Sequence, residues 1–169
     1  MANPLQRQLN KLASKGDVDV WNGILGPFFE RYQNQLLKSG TLAIKAGSSA
    51  VVKNTNACTY LINGKLVQKA ASDMAALSGT VTNATFNVYC FYADSAGSLT
   101  SAMGTAGATL ATVVFPAIPV GKCQLGFVII NPTGTGNFVG GTTALDDGTV
   151  VPNAVYVDTV GPFDNTMTL

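Results

Sequence analysis

TFNVYCFYA, residues 85–93, is the stretch whose reading decides the fold. Phe86, Val88, Cys90 and Tyr92 alternate with Asn87, Tyr89 and Phe91, so an extended chain here is largely apolar on both sides. A strand that borders water is apolar on one side only, whereas one that is apolar on both belongs in the middle of a layered β structure. Working outward, similar short runs recur: TLAIK (41–45), SAVVK (49–53), ACTYLI (57–62), KLVQK (65–69), ATLATVVF (108–115), CQLGFVII (123–130) and AVYVD (154–158). Gly, Asn, Pro and Thr separate them, as turn chemistry requires. Asn63-Gly64, between YLI and KLV, favours the positive φ values of a two-residue hairpin turn. The stretch AASDMAALSGT (70–80) reads equally as a short helix or a turn. The expected fold is mainly β, an antiparallel β-sandwich of jelly-roll-like type.

Ahead of Ser39-Gly40 the pattern is different. Pro4 suits a first helical turn, and Leu5, Leu9 and Leu12 follow as one narrow stripe that Gly16 can end. Asp17 or Asp19 can cap a second helix, in which Trp21, Ile24, Leu25, Phe28, Tyr32 and Leu36 recur at spacings of three and four, with Gly26-Pro27 as a kink or a fresh start. Ser39-Gly40 reads as the stop. The chain thus divides into a helical arm, 1–40, and a β-sandwich domain, 41–169. A short helix pair with so much aromatic surface cannot bury it alone. The arm is therefore expected to self-associate or dock on a partner through Leu5, Leu9, Leu12, Trp21, Ile24, Phe28, Phe29, Tyr32 and Leu36; the plainer alternative is packing on its own domain.

Of the 169 residues 47% are hydrophobic, ample for a core, and only 11% are charged, against roughly a quarter in typical globular chains. Sparse charge fits a surface that lies against other subunits, or simply one of hydroxyls and amides. Residues 1–40 carry five bases and three acids, 41–69 four lysines and no acid, and 70–169 one lysine and six aspartates. The acidic distal part should repel nucleic acid, while the lysines nearer the start either meet an acidic partner or protect strand edges. Cys58, Cys90 and Cys123 each sit in an apolar run with no CxxC spacing, which reads as buried free thiols in a reducing compartment. The first residues lack an apolar leader core, and no apolar run approaches the ~18 residues of a membrane span, so a product made in a cytoplasm without membrane attachment is expected.

With no histidine, Ser-His-Asp and Cys-His chemistry and histidine-based zinc sites are excluded. Asp146-Asp147 in ALDDGTV can bind a hard cation, but D-D-G is also a common turn. The glycine-rich run 131–149 lacks the lysine and following helix of a phosphate loop and reads as a long surface loop, with a neighbouring subunit as one source of its order. Lys53, Lys65 and Lys69 with Tyr60 form a rival anion or sugar site. No catalytic, cofactor-binding or metal-binding residue is assigned.

Residues 85–147 resemble structural proteins of tailed-bacteriophage particles. The similar features are the F-x-V-x-C-F-Y strand, the D-S-A-G-S-L-T turn (94–100), the F-P-x-I-P-x-G corner (115–121) and the I-I-N-P-T-G-T-G-N-F-V-G-G-T-T loop (129–143). The resemblance implies a non-enzymatic virion component of the capsid cement or decoration type. Such a protein binds the outer head surface as a dimer or trimer, with the major capsid protein and copies of itself as partners, and is made in the host cytoplasm. A fibre or receptor-binding module that touches a host glycan is the alternative, and a small metal-dependent hydrolase using Asp146, Asp147 or Asp164 a second rival.

Overall fold

A computed structural model describes residues 29–166 and, ahead of them, the single positions Asp19, Gly23 and Gly26, which carry helical backbone. Residues 29–33 are helical, and the rest is mainly β. In chain order the strands are β1 (Leu36–Lys38), β2 (Leu42–Ile44), β3 (Val52–Asn54), β4 (Cys58–Ile62), β5 (Lys65–Lys69) and β6 (Ser72–Asp73). Next come β7 (Thr80–Val81), β8 (Asn87–Ala93), β9 (Leu99–Met103), β10 (Cys123–Ile130), β11 (Phe138–Val139) and β12 (Val155–Asp158). All pairings between them are antiparallel.

The organising sheet runs β12-β10-β8-β9, with β8 and β10 inside. Every residue of β8 is buried, as its two apolar sides demand. Tyr89, Phe91 and Ala93 enter one apolar cluster with Leu36, Tyr60, Ile62, Val81 and Phe138. Val88, Cys90 and Tyr92 enter a second, on the opposite face, with Val113, Phe115 and Phe127. The smaller sheets β1-β4-β5, β2-β3-β6 and β11-β7 contribute to the first cluster through Tyr60, Leu42 and Phe138.

A bulge breaks the regular alternation of β10. Gln124 lies opposite Tyr92 and Gly126 opposite Phe91, so Leu125 is the extra residue. It switches the faces: Cys123 and the bulged Leu125 itself enter the first cluster, as do Val128 and Ile130 beyond it. Gly126 is obligatory at this place, because a Cβ there would collide with the Val157 carbonyl and the Leu42 side chain. Asn63 and Gly64 have φ of 51° and 75°, which makes the β4–β5 hairpin turn the expected one.

Four expectations are corrected. Helical backbone ends at Gln33, not at Ser39-Gly40, and Leu36 is not on a helical stripe: β1 adds to the edge of β4 and seats Leu36 in the first cluster. Tertiary pairing has overridden local helical spacing. The β-body thus begins before residue 41. Gly40 serves close approach instead, since a Cβ there would lie 2.6 Å from Asn54 Cγ. ATLATVVF is not a strand; Thr112 Oγ1 folds back on the Thr109 N–H (3.1 Å) around a 3-10 turn, Leu110–Thr112, that sends Val113 and Phe115 into the second cluster. The 131–149 run is ordered by its own body: Phe138 is buried against Tyr89 (5.9 Å between centroids), and the Leu145 N–H bonds the Ser49 carbonyl. The undecided stretch 70–80 holds β6 and extended chain that buries Met74 and Leu77.

Phe91→Ala should cost about 3–5 kcal/mol, the usual loss for a buried Phe. Val155→Ala, at the exposed edge strand, should stay within about 0.5 kcal/mol. Urea denaturation of both variants checks the assignment.

Candidate functional site

Beyond the last helical turn the chain is sewn to the β4–β5 hairpin. The Gly64 N–H donates to the Gln33 carbonyl (3.1 Å), the Asn63 N–H to Asn34 Oδ1 (2.9 Å) and the Leu61 N–H to the Gln35 carbonyl (2.8 Å). The other end of the body arrives at the same place: the Gly161 N–H donates to the Leu36 carbonyl (2.8 Å), and Arg31 Nη1 donates to Asp164 Oδ2 (2.7 Å). Where the helical turn, the 117–122 loop and the 161–165 segment converge they line a half-open cavity of about 250 Å³.

Its walls differ. Glu30, Arg31, Asn34 and Gln35 supply a polar side; Ile118, Pro119 and Phe163 supply an apolar one. Phe163 also completes a ring cluster with Phe115 (5.4 Å) and Phe127 (5.9 Å), so this wall is the outer end of the second core. Asn165 Nδ2 donates to the Pro116 carbonyl (3.2 Å), and Lys122 Nζ to Thr100 Oγ1 (2.9 Å), which steadies the loop.

Gln124 lines the cavity from beneath, 3% exposed. Its backbone carbonyl accepts from Thr159 Oγ1 (3.1 Å), but neither Nε2 nor Oε1 of the side chain has a hydrogen-bond partner. A buried amide left unpaired costs free energy that an apolar side chain of that shape would not. Sequence reasoning passed over this residue, although a single Gln inside CQLGFVII was a visible signal.

The sequence-derived candidates fare differently. Phe29 and Tyr32 lie on the helical turn, 52% and 47% exposed, flanking cavity residues Glu30 and Arg31. Leu36 is inside the first core. Leu5, Leu9, Leu12, Trp21, Ile24 and Phe28 lie outside the described residues. The rival sugar site fails, because Tyr60 is fully buried with its hydroxyl on the Asp94 carbonyl (3.0 Å). The carboxylates of the hydrolase reading are separately engaged. Asp146 accepts the Ser48 N–H, Asp147 turns back on Thr149, and Asp164 meets Thr166 and Arg31. The three thiols are buried and free. Burial pushes Cys58 up and lifts Cys90 and Cys123 to about 12, which leaves them protonated and poor nucleophiles. Among the described residues, no helix is long and apolar enough to cross a membrane.

Compared with models of known families, with curated proteins and with solved structures, the chain finds no match.

Gln124→Met, which removes the orphaned amide and keeps the volume, should raise stability by about 1–3 kcal/mol in chemical denaturation. A pH effect is expected as well. Asp164 is held below the usual carboxylate range by the Thr166 N–H and hydroxyl and then by Arg31. A lowered folded pKa contributes stability that is complete above the unfolded value and is lost as pH falls through the folded one. Asp147, lowered by the Thr149 hydroxyl and N–H, and Asp94, lowered by the Ser98 and Ala96 N–H groups, act in the same direction. Thermal unfolding should therefore become steadily easier as pH drops below the normal carboxylate range, and Asp164→Asn should flatten part of that decline.

Proposed function

We propose that this chain is a non-enzymatic structural protein of a tailed-bacteriophage particle, of the capsid cement or decoration type. It binds the outer surface of the head and stabilises it. In this reading the two-faced central sheet and its flanking sheets form a β-sandwich of jelly-roll-like build, and residues ahead of β1 form a helical contact arm. Its partners are the major capsid protein and further copies of the chain, as a dimer or trimer; assembly takes place in the host cytoplasm. Nucleic acid and membrane are not partners.

The observation that carries the proposal is the junction at Leu36. Among the described residues, neither core cluster contains anything ahead of Leu36, while the helical turn before it holds Phe29 and Tyr32 half-exposed. Both described clusters are thus built from Leu36 onward, and two large aromatics stand half-exposed just ahead of it. Large aromatics in a desolvated contact commonly supply most of its energy. The phage setting rests on the resemblance read from residues 85–147 of the sequence.

The double variant Phe29→Ser/Tyr32→Ser tests this. The wild type should run as a dimer or trimer by light scattering and bind emptied phage heads. The variant should keep its fold by circular dichroism and lose about 2 kcal/mol or more of association per anchor. Unchanged assembly would remove these two residues from the contact. Binding of the wild type to host cells and not to heads would replace the cement reading with a receptor-binding one.

A further inference from the structure

We propose that the cavity between the helical turn and the β-body is a docking site for an extended peptide segment of a neighbouring protein, gripped through the side-chain amide of Gln124. This goes beyond the virion role and does not depend on it, because the geometry of the cavity is the same whatever particle the chain belongs to.

Three observations converge. The first is the orphaned amide. Gln124 is buried and lines the cavity, yet its donor and its acceptor are both unused. An extended residue presents its own N–H and C=O side by side on one edge, as in the paired bonds of an antiparallel ladder. Gln124 matches that pair: Oε1 accepts the N–H and Nε2 donates to the C=O. Both atoms are closed to solvent, so entry of the occupant requires the side chain to turn about its χ bonds.

The second is charge. Among the described residues the charged groups that line the cavity are Glu30, Arg31 and Lys122, and both cations are already engaged, Arg31 by Asp164 and Lys122 by Thr100. A site for phosphate or carboxylate would hold its cations open to the ligand. This one favours a neutral polar group, and the peptide unit is the commonest on a protein.

The third is the apolar surround. Ile118, Pro119 and Phe163 form a wall against which one branched side chain can lie. At the rim, Val120 beside Pro119 is 92% exposed and Val160 beside Gly161 is 59% exposed. Exposed apolar shoulders around a half-polar cavity belong to a protein contact more than to a metabolite pocket. The volume, about 250 Å³, is near the small end of ligand sites, enough for one residue and its flanking peptide units.

The test uses the full-length protein and follows the Gln124 side-chain NH₂ resonances by NMR. N-acetyl-leucine N-methylamide is the probe. Its counterpart methylated on the leucine nitrogen lacks the N–H that Oε1 would accept. The first should shift the Gln124 signals saturably, and the second should bind roughly fivefold to tenfold more weakly, the worth of one hydrogen bond. Gln124→Met should abolish the difference between the two probes. Ile118→Ala, which keeps the amide and removes part of the apolar wall, should weaken both; it also carries the test if the Gln124 variant does not fold. No saturable shift up to the probe's solubility, or equal binding of the two probes by the wild type, would overturn the proposal. So would stronger binding of N-acetylglucosamine or inorganic phosphate, tested alongside. Because the readout is on the isolated protein, it can succeed or fail whether or not the chain binds phage heads.

Discussion

The β8–β10 ladder is the constraint on which the rest of the molecule depends. A strand buried on both faces needs apolar partners above and below, and the chain supplies one cluster to each face. The bulge at Leu125 decides which side chain goes where. With uninterrupted alternation Gln124 would share a face with Val128 and Ile130, deep in the first core. The extra residue turns it to the face of Tyr92 and Phe127, at the end where the second core opens into the cavity. One inserted residue thus moves a polar group from an untenable position to the floor of a site.

The same ladder explains how the entrance of the body is built. β1 is short, but it is fixed on one side by β4 and on the other by the bond from Gly161, so Leu36 has little freedom. The Asn63-Gly64 turn then offers its N–H groups to Gln33 and Asn34, which stops the helix before it can continue. Helical and extended chain meet within about one turn, and the helical side of that junction is one wall of the cavity. Its apolar wall is rigid because Phe163 belongs to a three-ring cluster; its polar wall belongs to the helical turn.

Much of this was legible in the sequence where the pattern was long and uniform. CQLGFVII and KLVQK match β10 and β5 end to end, and TFNVYCFYA contains β8, because runs of apolar residues between turn residues admit few other structures. β6, β7 and β11 have two residues each, too few to show a period, and LTSAM in β9 has no clear alternation. QNQLLK carries helical spacing, so β1 could be found only from its partner strand. The site was harder. Gln124 stood out as a polar residue in an apolar run, but its orphaned state depends on neighbours far along the chain. Arg31 and Asp164, or Phe163 and Phe115, meet through topology alone, which leaves no local signal.

The ion pair between Arg31 and Asp164 joins positions 133 apart in sequence. The first and last parts of the described fold meet at this point, so the described fold is nearly a closed ring. A circularly permuted version, with a short linker across this point and fresh ends cut at an exposed hairpin tip, would keep all of the strand neighbours. Closure at that point also means that a tether on either side pulls on the same corner of the body.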